Sequence, residues 1–201
     1  MKTKLTTLTL FVYLLAFAFS CSDKKQEAQQ EQTEMDHAST TEMPEATAPA
    51  FTVNAEFQSQ LAATFTAYLN MKDAFVATDA TAVNDAASKT QGALAAVDMK
   101  LLEGAAHNDW MTYQNELDGA LKNIQSTDDI EKKREIFSAA SDALYKSIKA
   151  FGLGGATAFY EYCPMAFNNE GGYWLSDNSE IRNPYFGDKM LKCGSVAEVL
   201  K

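Results

Sequence analysis

The sequence predicts a mainly α-helical protein: an up-and-down four-helix bundle with a small C-terminal hairpin/loop appendage packed on one end. Three observations carry this. Between about Val53 and Phe151 the apolar residues recur at helical spacing in four blocks. The breaks between blocks are short, which favours antiparallel neighbours. After Gly155 the periodicity gives way to short aromatic runs punctuated by glycine and proline.

The first 20 residues read as a leader to be set aside from the fold. Lys2 and Lys4 precede a largely apolar run from Leu5 to Phe19 that is short for a membrane span. It ends in Ala18-Phe19-Ser20-Cys21. A small residue directly before a cysteine resembles a bacterial lipobox, which implies cleavage before Cys21 and lipidation of that residue. Several acyl chains hold a protein on a bilayer far more firmly than one. Ser22 after the cysteine favours the outer membrane by analogy with bacterial sorting. The expectation is a cell-envelope protein, lipid-anchored through Cys21 to the outer membrane and facing the periplasm.

Residues 21–52 read as the lipidated cysteine and a disordered linker. Gln26 to Pro49 is rich in Gln, Glu, Thr, Ala and Pro. Such a composition buries too little surface to offset the entropy of ordering it. Met35, His37 and Met43 lie there at a spacing that fits no metal-ligand template.

Residues 53–201 are long enough for one domain with a real core. The first helix carries Phe57, Leu61, Phe65, Tyr68, Leu69, Phe75 and Val76 on one stripe. The second carries Val83, Ala86, Ala87, Leu94 and Val97, its alanines permitting close approach. The third has Ala106, Trp110, Tyr113, Leu117, Leu121 and Ile124. Ser126-Thr127-Asp128-Asp129 then supplies a cap and acidic groups for the next N-terminus. The fourth has Ile130, Phe137, Ala140, Leu144, Ile148 and Phe151, and Gly152 with Gly154-Gly155 ends it. Thr157 to Tyr162 is the first expected strand, and Tyr173-Trp174-Leu175 pairs back on it after Gly171-Gly172. Asn183-Pro184-Tyr185-Phe186-Gly187 reads as an ordered turn. Val196 to Leu200 is expected to form a short terminal helix.

The chain has 17 Lys+Arg against 27 Asp+Glu, a formal charge of −10. Without Lys2 and Lys4 the balance is 15 against 27. So acidic a surface argues against nucleic acid and against docking on anionic lipid by basic patches. No phosphate loop and no Ser/His/Asp arrangement is present, and Asp128, Asp129 and Glu131 suit a helix cap better than an acid/base pair. The expectation is a protein that is not an enzyme.

The most specific chemistry lies in two short runs, Cys163-Pro164-Met165 and Met190-Leu191-Lys192-Cys193-Gly194. Thiolate and thioether are soft ligands that together select Cu(I) or Ag(I) over hard cations. Zinc prefers cysteine with histidine. The candidate metal set is therefore Cys163, Met165, Met190 and Cys193. The competing reading is a disulfide: an oxidising compartment and two cysteines left after lipidation suit a Cys163–Cys193 bridge with no metal. It would stabilise the domain by roughly 3–4 kcal/mol on loop-entropy grounds. A pair that binds metal only when reduced is compatible with both.

The runs from Tyr162 to Phe167, Gly172 to Ser176 and Ile181 to Gly194 resemble a family of bacterial envelope domains catalogued as domain of unknown function 3347. So do His107-x-x-Trp110-Met111 and the region from Lys132 to Phe137, so the resemblance is read over residues 55–201. It occurs in Bacteroidota lipoproteins and as C-terminal domains of copper/silver efflux adaptors. The resemblance implies a role with Cu(I) or Ag(I), and a partnership with a heavy-metal efflux system in trans. It also brings forward His107, which shares a helix face with Met111 and would add an imidazole ligand if that face looks toward the appendage. The alternative function is a disulfide-stabilised envelope module that binds another protein and holds no metal.

Overall fold

The computed structural model describes residues 43–201. The expected leader, Cys21 and most of the linker lie outside these residues. No helix among the described residues is long and apolar enough to cross a membrane.

Four long helices form the bundle: α1 (Ala55–Val76), α2 (Ala80–Ala95), α3 (Gly104–Gln125) and α4 (Ile130–Phe151). Each starts where the sequence supplies an acceptor for the free N–H groups of the first turn. Asn54 Oδ1 accepts from Glu56 N at 2.7 Å. Asp79 Oδ1 accepts from Thr81 and Ala82, and Asp129 Oδ1 accepts from Glu131 and Lys132. Helix α3 is the exception, since Glu103 makes no side-chain cap. Gly152, at φ 69°, ends α4 in a conformation that costs other residues strain.

The helices pack consecutively, α1 on α2, α2 on α3 and α3 on α4. Two aromatic clusters fill opposite ends. At one, Phe57 from the start of α1 meets Trp110 from α3 and Phe151 from the end of α4, with ring centroids 5.1 and 5.2 Å apart. At the other, Phe137 near the start of α4 lies 4.5 Å from Phe75 near the end of α1. Eighteen residues of helix separate Phe57 from Phe75, about 27 Å at the α-helical rise. Lys133 is wholly buried near this second end, its ammonium donating to Asn84 Oδ1 and Ile124 O at 2.5 and 2.6 Å.

The C-terminal region is a four-stranded sheet in the order β1-β4-β2-β3, from β1 (Ala46–Thr47), β2 (Ala158–Cys163), β3 (Gly172–Ser176) and β4 (Ser195–Leu200). The expected hairpin forms: β2 and β3 are antiparallel, with Glu161 opposite Trp174 and Cys163 opposite Gly172. The outer edge of β3 is covered by side chains. Tyr68 of α1 accepts from the Leu175 N–H at 3.2 Å, and the Tyr185 hydroxyl donates to the Tyr173 carbonyl.

Two expectations are corrected here. Val196 to Leu200 is strand, not helix. Its i, i+3 valines fit either state, and antiparallel pairing with β2 decides between them. Part of the stretch read as disordered linker also has defined structure. Ala46 and Thr47 pair in parallel with Val199 and Leu200. Ala50 and Phe51 donate to the Lys149 and Ala150 carbonyls, and Phe51 stacks on Phe151. A single well-placed aromatic and a few backbone bonds hold a segment whose average composition argues for disorder.

The sheet lies along the flank of α4 rather than capping the bundle. Arg134 in the first turn of α4 donates to Pro184 O at 2.9 Å. Further along, Tyr160 donates to Asp142 and stacks on Tyr145 at 3.9 Å. In the last turns, Tyr145 and Lys149 both bond Glu198 of β4. The Cys-Met turns therefore sit beside the Phe75/Phe137 end.

Candidate functional site

Strand β2 delivers Cys163 at its last position, and the loop before β4 returns Cys193 to it. Their sulfurs face each other at 2.7 Å, both cysteines being free thiols. Cys163 is fully buried and Cys193 half-buried.

Asn183 fixes the returning loop. It is wholly buried, its amide N–H donates to Cys193 O at 2.7 Å, and its side-chain oxygen accepts from Tyr185 N at 2.8 Å. Its own backbone N–H bonds Leu191 O. Cys193 N in turn bonds Met190 O at 3.0 Å, closing the turn. Gly194, at φ 145°, allows the chain to pass close to its neighbours. A Cβ there would lie 2.9 Å from both the Trp174 ring and the Tyr162 carbonyl. Gly172, opposite Cys163, is held to its size by Tyr185, Ala166 and Phe167, all within 2.9 Å of where a Cβ would be. Asn183→Ala should leave the Cys193 carbonyl and Tyr185 N–H without partners and cost about 1–3 kcal/mol, read as a lower urea midpoint.

The environment keeps Cys193 a thiol. Burial pushes its pKa up to about 11, sharing a proton with Cys163 adds to this, and the Met165 backbone N–H donating to its sulfur partly offsets it. Neutral thiols are poor nucleophiles, and Cys193 is held in that form.

The turn after Pro164 is wound left-handed. Phe167, Asn168 and Asn169 take φ of 52°, 58° and 71° in succession. Asparagine tolerates this region, and Phe167 is held there by edge-on packing against Tyr185 at 4.9 Å. The turn carries Met165 to the surface, where its side chain is 47% exposed. Met190 is half-buried.

One residue beside the pair escaped sequence reasoning. Glu161 lies two positions before Cys163, past an irregularity in the β2–β4 pairing, and is fully buried. Neither of its oxygens has a hydrogen-bond partner in the structure, and the Trp174 indole N–H opposite is also unpartnered. That N–H lies near enough to lower the Glu161 pKa but not aligned to bond it. Burial dominates and raises the carboxyl to about 8, against smaller lowering effects of Lys72 and Trp174. The acid is thus proton-rich in the folded state. Its contribution is fully present below the unfolded value near 4.5 and is lost as pH rises through 8. Wild-type melting temperature should fall across that window, and Glu161→Gln should flatten the trend. A glutamate in a strand gives no signal by itself; its burial comes from the irregularity that reverses the alternation in β2.

The structure does not bring His107 to the sulfurs. It sits in the first turns of α3, its Nδ1 3.3 Å from Met99 O, while Asp98 nearby bonds Gln60 of α1. This is the Phe57/Trp110 end, a helix length away from Cys163. Met111 lies on the same early part of α3. Among the described residues no group of three or more His, Cys, Asp or Glu is arranged to hold a metal ion. The candidate set therefore consists of the two thiols with Met165 and Met190 on the turns that carry them.

These features define a helical-bundle domain with a sheet that seats a paired thiol. The model of a family described as "Protein of unknown function (DUF3347)" matches residues 64–155, and the chain resembles that family there. The match runs from α1 to the glycines after α4. It stops short of Cys163, so the Cys-Met runs quoted for the resemblance lie beyond it. No curated protein and no solved structure matches the chain.

Proposed function

We propose that this protein is a lipid-anchored envelope protein that captures Cu(I) or Ag(I) through Cys163 and Cys193 and hands it on by ligand exchange. The observation that carries the reading is the convergence of two sulfurs from separate turns, each turn also bearing a methionine. Soft monovalent ions accept such donors, and hard cations do not. Holding an ion asks for a small opening of the pair. With metal–sulfur bonds of about 2.3 Å, a tetrahedral site needs sulfurs about 3.8 Å apart. The Cys193 turn, half-buried and on the surface, is the side able to yield. The reading needs no catalytic step. Export through a heavy-metal efflux system in trans, and attachment through Cys21, belong to the same proposal. An anaerobic Cu(I) competition titration against a chromophoric chelator tests it. One copper per chain, lost in Cys163→Ser, is the expected result; no uptake by fully reduced protein would rule it out.

The close thiol contact and the full burial of Cys163 favour a second reading, in which the pair is bridged and the domain serves as an envelope interaction module. Mass spectrometry of protein from the native envelope without reductant decides between them: a mass two hydrogens lighter supports the module, and two free thiols exclude it.

A further inference from the structure

The two thiols are shielded, and Met165 is not. Its thioether is among the few large apolar side chains of the described residues left substantially exposed. Met165 lines an open cleft of about 280 Å³ together with Phe167, Tyr185, Phe186, Glu135 and the ion pair of Glu131 with Arg134. It follows Cys163 by two residues, and the Cys163 sulfur lies 2.7 Å from that of Cys193. Met165 therefore stands between the open cleft and the buried pair. Met190 is more buried than Met165 and lines no part of this cleft.

We propose that Met165 is a transfer ligand, whose thioether takes a soft monovalent cation at the cleft and passes it to Cys193 and then Cys163 without holding it afterwards. The inference rests on the reading of the pair as a soft-metal site. A thioether suits the task because it binds without losing a proton and releases readily to a thiolate. In the exchange the metal–sulfur bond to Cys193 forms as the bond to Met165 breaks and the Cys193 thiol proton leaves to water. The bond to Cys163 then forms as that thiol's proton also leaves to water. No electron is transferred. Once the ion rests on Met165, attack by Cys193 is intramolecular, so the methionine raises the rate of loading and leaves the final complex unchanged.

The test is stopped-flow transfer of Cu(I) from a chromophoric chelator to the reduced full chain, with equilibrium competition measured on the same samples. Met165→Leu keeps volume and removes the sulfur. Met99→Leu, an exposed methionine at the far end of the bundle, is the control. Loading of Met165→Leu should slow by about tenfold or more with its equilibrium affinity within about threefold of wild type. Wild-type loading rates in Met165→Leu overturn this inference alone. So does an affinity loss matching the rate loss, which would make Met165 a holding ligand. No copper uptake by the reduced wild type overturns the underlying site reading as well.

Discussion

Arg134→Ala should destabilise the domain by about 1–3 kcal/mol, measured by urea unfolding, the range for leaving a buried polar group without its partner. The side chain is almost wholly buried and bonds in four directions. Its Nε donates to Pro184 O, one terminal nitrogen to Phe75 O and Thr78 Oγ1, and the other to Glu131. Phe75 O is among the last carbonyls of α1, which have no partner within the helix. One guanidinium therefore closes the end of α1, opens α4 and holds the turn that leads through Asn183 to Cys193. Truncation leaves the buried Pro184 carbonyl bare, while Phe75 O keeps the Thr78 N–H. Arg134→Lys should recover only part of the loss, because a point charge cannot replace a planar fork. Looser packing of the Cys193 turn should accompany it, read as faster alkylation of that thiol.

Oxidation should switch metal capture off completely. A disulfide removes both anionic donors at once, so air-oxidised protein should take up no Cu(I), and reductant should restore the full stoichiometry. Copper retained by verified disulfide-bonded protein would show that the ion sits elsewhere. In the reduced form capture should strengthen with pH. The Cys193 thiol, raised to about 11 mainly by burial, must lose its proton to ligate. Loss of this proton alone gives about a tenfold gain in apparent affinity per pH unit around neutrality, and displacement of the Cys163 proton adds to it. A flat profile between pH 6 and 8 would point to thioethers as the ligands.

The helices were legible because each signal was local. Asp129 as a cap, the glycine stop after Phe151 and the alanine face of α2 follow from spacing and short-range chemistry. So does the β2–β3 hairpin. What failed depended on partners distant in sequence. Val196 to Leu200 becomes strand because β2 is there to pair with it, and Ala46-Thr47 is ordered because β4 offers its edge. The two cysteines could be singled out by residue type, yet their contact needed the tertiary fold. His107 was placed on the right helix, but nothing in the sequence tells which end of a bundle an appendage covers. Glu161 and Arg134 look like ordinary surface charges, and only burial reveals them.

The pairing of Ala46 and Thr47 with Val199 and Leu200 has a mechanical consequence. The chain enters the sheet at Ala46, opposite Val199 near the C-terminal end of β4 and six residues from Cys193. At the strand rise this is about 20 Å from the sulfurs. Tension on the chain before Ala46 is borne first by β1, the Phe51–Phe151 stack and the last turn of α4. The thiol turns lie off this line of load, so the domain can be held by its leading end while the sulfur end stays relaxed and free to meet a partner.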